Sequence, residues 1–322
     1  MNVLVYGAGA VGSLFAARLA AAGHTVTIVG RPTHVAAIRA SGLEVQGVRP
    51  GRFSFSALEK LEVGASFDAV LLGVKTFDLP RATHDVARSL GSPVPTLVPQ
   101  NGLDVETLAL RGLSEGGWAG AAAQLVRCVH SIPATLVGPG VVRQAGDGEL
   151  LLPAAGAPPV PAVESWAALL ATMGYPLRRL TDFPREVWRK AILNAAINPV
   201  TADHRILNGQ LRDDPWRGQA VELLREARMV AEAEGVRFGA DELETDLWRV
   251  VQATAANRSS MLQDVERGRP TEVEEISGQL LVIGERHRLD LPATRRAVAR
   301  IRSRSARRRR ASASFHPTTQ AS

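Results

Sequence analysis

The run Gly7-Ala8-Gly9-Ala10-Val11-Gly12 constrains this chain more than any other segment. It follows a short apolar stretch, NVLVY at 2–6, and precedes an alanine-rich stretch that continues to about Ala22. The apolar periodicity therefore places the glycines on a turn between a buried strand and a helix. Gly23 suits the C-terminal cap of that helix, and TVTIV at 25–29 reads as a second strand. A strand, a crossover helix and a second strand imply a parallel sheet. At this spacing the first glycine permits a tight turn. The second lets backbone approach a pyrophosphate, and the third lets the helix pack closely on the strand. The phosphates would then meet free N–H groups and the positive end of the helix dipole, with Ala8, Ala10 and Val11 completing the loop.

The end of the second strand bears on which dinucleotide the loop would take. An acid there usually holds the ribose hydroxyls of NAD. Here the strand ends Val29-Gly30-Arg31, with no acid and with a guanidinium where a 2′-phosphate would arrive. The expected cofactor is NADP, as NADPH. His34 lies nearby and is expected on a helix surface rather than on the phosphate.

Further strands are expected over 68–74, up to Pro99, and around 121–129, 135–143 and 149–152, with a helix over 80–90. From 162 the pattern is helical over 163–173, 185–197, 215–235, 240–256 and 270–288. The expected fold is α/β: an N-terminal Rossmann-type parallel sheet domain over 1–182, then an all-helical domain over 183–301. Residues 302–322 are rich in Arg, Ser and Ala without apolar periodicity; they are expected to be disordered and dispensable for catalysis.

The formal charge of +6 is unevenly placed: residues 291–322 hold nine arginines and no acid, so the first 290 carry −3. Charge thus gives no support to nucleic-acid binding by the folded body. Cys128, the one cysteine, cannot form an internal disulfide, and no apolar run reaches the about 20 residues of a membrane span. The short N-terminal apolar run breaks at Gly7 and lacks a basic flank, so it does not read as a signal peptide. A cytoplasmic protein is expected, with no membrane partner.

Lysine is rare. It occurs at 60, 75 and 190 only, the other thirty-five of the 38 basic residues being arginine. Lys can give up a proton where Arg cannot, so a lysine inside a patterned helix draws notice in such a chain. Lys190 and Asn194 are four apart, Asn198 is the next step, and the flanking residues are apolar. The three drift about 40° per step and read as one wall of a polar cleft. Pro199 is expected to end this helix. The polar cluster NRSSMLQD follows at 257–264, and Glu272 is placed in the first turn of a later helix, where the dipole favours a carboxylate.

Together these blocks resemble the ketopantoate reductase family. The glycine loop, GVK at 73–75, QNG at 100–102, WRKAILNAAINPVTA at 188–202, NRSSMLQD at 257–264 and TEVEEISG at 271–278 stand in the family's order, over roughly residues 1–295. The resemblance implies an active site between a Rossmann domain and a helical one, NADPH, and a small 2-oxo acid reduced to the 2-hydroxy acid. It implies Lys190 as general acid and Glu272 as a substrate ligand that supports catalysis. Asn194, Asn198 and Asn208 would line the substrate site. Asn257 would join them, with Ser260 on the substrate carboxylate. Asn101 would contact both cofactor and substrate and help set the lysine, Lys75 would stand by the cofactor, and Arg31 would take the 2′-phosphate. Departures are Glu274 in place of the usual Asp, Asp203-His204-Arg205 where apolar residues are expected, and the arginine tail. No metal is expected, and His130 and His204 are read as structural. Two alternatives stay open: a related NADP-dependent 2-oxo or 3-hydroxy acid dehydrogenase with another substrate, and a non-catalytic NADP-binding regulator. Oligomeric state is open too, a homodimer included.

Overall fold

A computed structural model describes residues 1–156 and 160–313, with side chains described up to 304. The chain divides into two compact units. One comprises Met1–Gln100 and Asp104–Phe183; the other comprises Asn101–Leu103 and the chain from Pro184 onward. The boundary read from the sequence left 101–103 in the first unit. Those residues go with the second because Leu103 packs on its apolar core and Gly102 lies against Glu275.

In the first unit, β1 (Asn2–Tyr6), α1 (Ala10–Ala21) and β2 (Thr25–Val29) form the opening expected from the glycine turn. There follow α2 (Pro32–Ser41), β3 (Leu43–Gly47), β4 (Gly51–Phe53), β5 (Ser56–Leu58) and β6 (Ala69–Leu72). Then come α3 (Leu79–Leu90), β7 (Thr96–Val98), α4 (Val105–Glu115) and β8 (Leu125–Arg127). All pairings in the sheet β5-β2-β1-β6-β7-β8 are parallel. Taken in chain order, its strands run 3-2-1-4-5-6, and the order reverses between β1 and β6. In such sheets the crevice beyond the strand ends at that reversal is where ligands bind. Alternate residues of β1 serve opposite faces: Val3 and Val5 pack with α1, Leu4 with α3 and α4. A sheet covered on both faces reads as continuous apolar runs, as 2–6 and 69–72 do.

The remaining strands are β9 (Val129–His130), β10 (Ala134–Gly138), β11 (Val141–Gln144), β12 (Leu150–Pro153) and β13 (Leu177–Leu180), with α5 (Pro161–Thr172) between the last two. They form two small sheets, β10-β11-β3-β4 and β13-β12-β9. His34 corrects its expected surface place: it is 4% exposed. The Gly140 N–H donates to its Nδ1 at 2.9 Å, and its Nε2 lies 3.1 Å from Ser13 Oγ, so it joins α2, α1 and the β10–β11 turn.

The second unit is helical: α6 (Phe183–His204), α7 (Trp216–Ala233), α8 (Glu242–Ala253), α9 (Ser260–Glu266), α10 (Gln279–Arg286) and α11 (Pro292–Ala313). Its main core joins Ile192 and Ala196 to Leu223, Leu247, Ile276 and Leu280. Two expectations change here. Pro199 does not end α6, which runs on to His204 with Asn198 helical and 5% exposed. The helix around the proline is buried on its apolar sides, so tertiary packing outweighs the lost backbone bond. Nor is the chain beyond 302 irregular as far as it is described. α11 reaches Ala313, in keeping with the helix propensity of Arg and Ala, and Arg302 and Arg304 pair with acids of this unit. Residues 314–322 of the expected tail lie outside the described residues. No helix of the described residues is long and apolar enough to cross a membrane.

Candidate active site

The glycine loop closes on the loop after β6. Gly7 has φ +113, and a methyl on it would come within 2.5 Å of Val74 N. A methyl on Gly12 would meet the Gly7 carbonyl oxygen at 2.1 Å, and one on Gly73 would meet the same oxygen at 2.3 Å. Three backbone segments thus touch where side chains would separate them. Gly9 caps α1 with no side-chain bond, and the first turn of α1 has no acid. That leaves a positive helix start at the reversal point of the sheet. Val29, the last residue of β2, accepts the Gly7 and Ala8 N–H groups at 2.9 Å each and fixes the turn. Arg31 follows at the N-cap of α2 and is exposed. Lys75 precedes a short 3-10 turn over Thr76–Asp78 and is half-buried.

Two members of this cradle were not singled out from the sequence. One is Gly73, whose only signal was its place in GVK. The other is Gln100, whose side-chain amide donates to the Leu72 and Val74 carbonyls at 2.6 and 3.1 Å and so pins the β6 loop. Its only signal was its place in QNG.

The second unit gathers the polar residues. On α6, Lys190 and Asn194 are half-buried and Asn198 is buried. The flank of this helix is locked to α8. Arg189 pairs with Glu186 at 3.2 Å, Glu242 at 2.5 Å and Asp246, and Arg185 donates from Nη2 to both Glu242 oxygens at 2.6 and 2.8 Å. The Gly239 N–H, with Arg185 and Arg189, holds the Glu242 carboxyl below its ordinary range. One turn of helix thereby fixes where Lys190 stands.

Toward its C-terminal end α6 carries Thr201, about 20° around the helix from Lys190 at 100° per residue. Thr201 Oγ1 lies 2.9 Å from the Ile197 carbonyl and 2.7 Å from Ser259 Oγ, while Ser259 accepts the Leu262 N–H at 3.1 Å. Ser259 is therefore engaged inside the protein as the cap of α9, and Ser260 stands exposed beside it. Thr201 and Ser259 were not picked out from the sequence; the eleven-residue step from Lys190 was the readable sign for Thr201. Asn208 donates through its side chain to Thr254 Oγ1 at 2.9 Å and through its backbone to the Asn257 carbonyl at 3.0 Å. Its Oδ1 is a buried acceptor with no partner among the described residues.

Glu272 is 7% exposed and immediately precedes its helix rather than lying in the first turn. Its carbonyl accepts the Ile276 N–H at 3.1 Å. Glu274–Gly278 form a π-helical turn that leads into α10. Such widened turns recur at functional sites. Gly102 of the QNG turn has φ +108, and a methyl on it would stand 2.6 Å from the Glu275 carbonyl oxygen. Within this unit, then, the structure joins 188–204, 208 and 257–260 on one side, and Asn101–Leu103 and the 271–278 block on another. No cluster of His, Cys, Asp and Glu fit to hold a metal occurs among the described residues.

The chain matches two family descriptions, Ketopantoate reductase PanE/ApbA over residues 3–156 and Ketopantoate reductase PanE/ApbA C terminal over 182–305. The 2-dehydropantoate 2-reductase of Archaeoglobus fulgidus is 30% identical over 308 residues, spanning 94% of this chain and 97% of that protein. A PanE/ApbA family ketopantoate reductase structure from Ralstonia eutropha JMP134 has a TM-score of 0.85 at 29% identity, over 96% of this chain and 100% of that one. D-mandelate dehydrogenase, in a ternary structure with NADH and anilino(oxo)acetate, shares the fold. Its TM-score is 0.87 at 20% identity, over 96% and 99% of the chains.

Proposed function

The chain belongs to the ketopantoate reductase family, and we propose that it reduces a small 2-oxo acid with NADPH, 2-dehydropantoate to pantoate being the reaction that best suits its residues. The observation that carries this reading is the polar cluster of the second unit. There one polar face of α6, Asn208 and the 257–260 segment are tied together by Thr201, Ser259 and Thr254.

The cradle of the first unit fits a dinucleotide: no Cβ stands between its backbone segments, and the start of α1 has neither acid nor capping side chain. Gly7, Ala8, Gly9, Ala10, Val11 and Gly12 would receive the pyrophosphate, and Lys75 and Asn101 would contact the cofactor. The D-mandelate dehydrogenase structure holds NADH on the same fold. The choice of cofactor then turns on the link between β2 and α2, and Arg31 there supports NADPH.

When bound, NADPH supplies the hydride. The chain's own groups do the rest. Lys190, protonated, hydrogen-bonds the C2 carbonyl oxygen and gives it a proton as negative charge grows there. General acid catalysis of this kind contributes about 10²–10⁴-fold. Asn194, Asn198, Asn208 and Asn257 orient the substrate, and the Oδ1 of Asn208, without a partner among the described residues, is suited to accept a hydrogen bond from a substrate hydroxyl. With Ser259 committed to capping, Ser260 is the serine open to the substrate carboxylate. Glu272 binds the substrate and holds it for transfer, a share of the rate that comes from orientation.

The test is NADPH oxidation by the full chain against a panel of 2-oxo acids, 2-dehydropantoate first. Saturable turnover that is best with 2-dehydropantoate is expected. Best turnover with another 2-oxo acid keeps the reaction and replaces the substrate. NADPH binding without turnover on any of them would leave a nucleotide-binding regulator in its place.

A further inference from the structure

α11 is tied down at its start and again over residues 298–304. At its start, the buried Glu226 of α7 accepts the Ala293 N–H at 2.8 Å, the Thr294 N–H at 2.7 Å and the Thr294 hydroxyl at 2.7 Å. These bonds satisfy N–H groups that a helix start leaves open. One turn on, Val298 and Ile301 bury in an apolar cluster with Ala202 of α6, Met261 and Leu262 of α9, and Val273. The three segments they touch are those that carry the polar residues of the second unit.

The arginines beyond this cluster reach two acids. Arg302 forks onto Glu274, Nε to Oε1 at 2.6 Å and Nη2 to Oε2 at 2.7 Å. Arg300 donates to Asp203 Oδ2 at 3.2 Å, and Arg304 donates to Asp203 Oδ1. Asp203 is 8% exposed and sits in the last turn of α6, where the helix dipole disfavours a carboxylate, so it depends on these cations. Glu274 opens the π-helical turn two residues after Glu272. A π-helical turn departs from the α-helical hydrogen-bond pattern, and Arg302 holds its first residue from outside.

We propose that Arg300, Arg302 and Arg304 are positioning residues for the substrate groups of the second unit. Arg302 fixes the π-helical turn and, through it, Glu272. Arg300 and Arg304 fix the last turn of α6 and, through it, Thr201 and Asn198. This inference rests on the function proposed above. It makes a single device of three departures from the family pattern, since Asp203 and Glu274 are the acids that the arginine-rich segment engages.

Arg302 and Glu274 are 62% and 46% exposed, and pairs this exposed contribute little to global stability. The effect should therefore appear in catalysis and hardly at all in melting. The experiment compares the full-length wild type with Arg302→Ala, Arg302→Lys and Glu274→Ala, using NADPH and the best 2-oxo acid of the panel. Amide exchange of 273–278 is followed alongside. Arg302→Ala should raise KM for the 2-oxo acid about fivefold, while KM for NADPH and Tm stay near wild type. Exchange of the 273–278 amides should speed up, Glu274→Ala should match Arg302→Ala, and Arg302→Lys should recover part of the loss. The inference is overturned if Arg302→Ala keeps both kinetic constants for the 2-oxo acid within twofold of wild type. It is overturned equally if both KM values rise together with a falling Tm, which marks a merely structural role. A wild type silent on every 2-oxo acid is a separate result: it removes the functional reading and this inference with it.

Discussion

The glycine cradle of the first unit and the polar cluster of the second are built on opposite principles. In the cradle, backbone meets backbone: Gly7, Gly12 and Gly73 leave gaps that a single methyl would close to between 2.1 and 2.5 Å. Little there can be added. On the α6 side of the cluster the backbone is ordinary helix, and the chemistry lies in side chains at one-turn steps, held by Arg189, Thr201 and Ser259. Little there can be removed. The comparison assigns a kind of mutation to each unit: gain of atoms should disable the first, and loss or exchange of a functional group should disable the second.

The largest effect should come from Lys190. Its proposed role requires a proton that leaves as charge develops on the carbonyl oxygen, so the loss should fall on kcat more than on KM. Lys190→Ala and Lys190→Arg should both lower kcat by at least about 10²-fold while still binding NADPH. Arg keeps the charge but holds its proton too tightly. Steady-state kinetics and NADPH titration check this. Near-normal turnover in Lys190→Arg would reduce the cluster to an electrostatic one, and the contrast with the cradle would lose half its content.

Next comes Gly73→Ala. The added methyl meets the Gly7 carbonyl oxygen and the Gly12 Cα, and both are backbone with little room to yield. Overpacking typically costs about 1–3 kcal/mol, so KM for NADPH should rise about thirtyfold and Tm should fall by about 5 °C. An unchanged KM and Tm would show that the three loops can part, and the cradle would not depend on its glycines.

The two units were legible in the sequence to different depths for the same reason. The glycine spacing is dictated by backbone geometry, so it announced β1, α1, β2 and the parallel sheet directly. The polar face of α6 showed as a rare lysine and two asparagines, but nothing local said that Pro199 would be carried inside the helix. That outcome depends on the burial of Ala195, Ile197 and Val200 by other helices. The same limit hid the extension to Thr201 and the burial of Asp203. Glu272 was found through resemblance; its place just before a π-helical turn has no sequence signature. The short strands β3 to β5 were passed over because runs of three to five residues carry too few apolar repeats to be read. The arginine tail misled because its composition resembles solvated chain, whereas its partners, Glu274 and Asp203, lie far off in sequence.

Arg31 sharpens the comparison, since it is the place where the first unit is expected to rely on a side chain. Wild type should prefer NADPH to NADH. Arg31→Ala should raise KM for NADPH about tenfold and leave KM for NADH nearly unchanged, in line with the loss of one hydrogen bond to a charged group. Equal use of the two cofactors by wild type would show that the exposed guanidinium is only surface charge.

The smallest effect concerns His34, which serves the scaffold of the first unit rather than its ligand. Burial pushes its pKa below the usual 6.5. The geometry acts in the same direction. The Gly140 N–H already donates to Nδ1, so a second proton there would set two donors face to face and break a buried bond. The folded protein therefore keeps this ring neutral, while the unfolded chain takes up a proton near pH 6.5. Between that value and the lower folded one, the unfolded state holds more protons, so stability falls as pH falls. The contribution is whole above about pH 6.5 and levels off once the folded ring is protonated too. Unfolding of wild type and His34→Gln by denaturant, at steps from pH 7.5 to 5, isolates this slope, because every other group titrates in both proteins. Wild type should lose stability more steeply below pH 6.5, by up to the about 1.4 kcal/mol per pH unit that one proton allows. Parallel profiles would mean that the buried ring takes its proton as readily as an exposed one, and that the β10–β11 turn can give way without harm to the sheet beside the cradle.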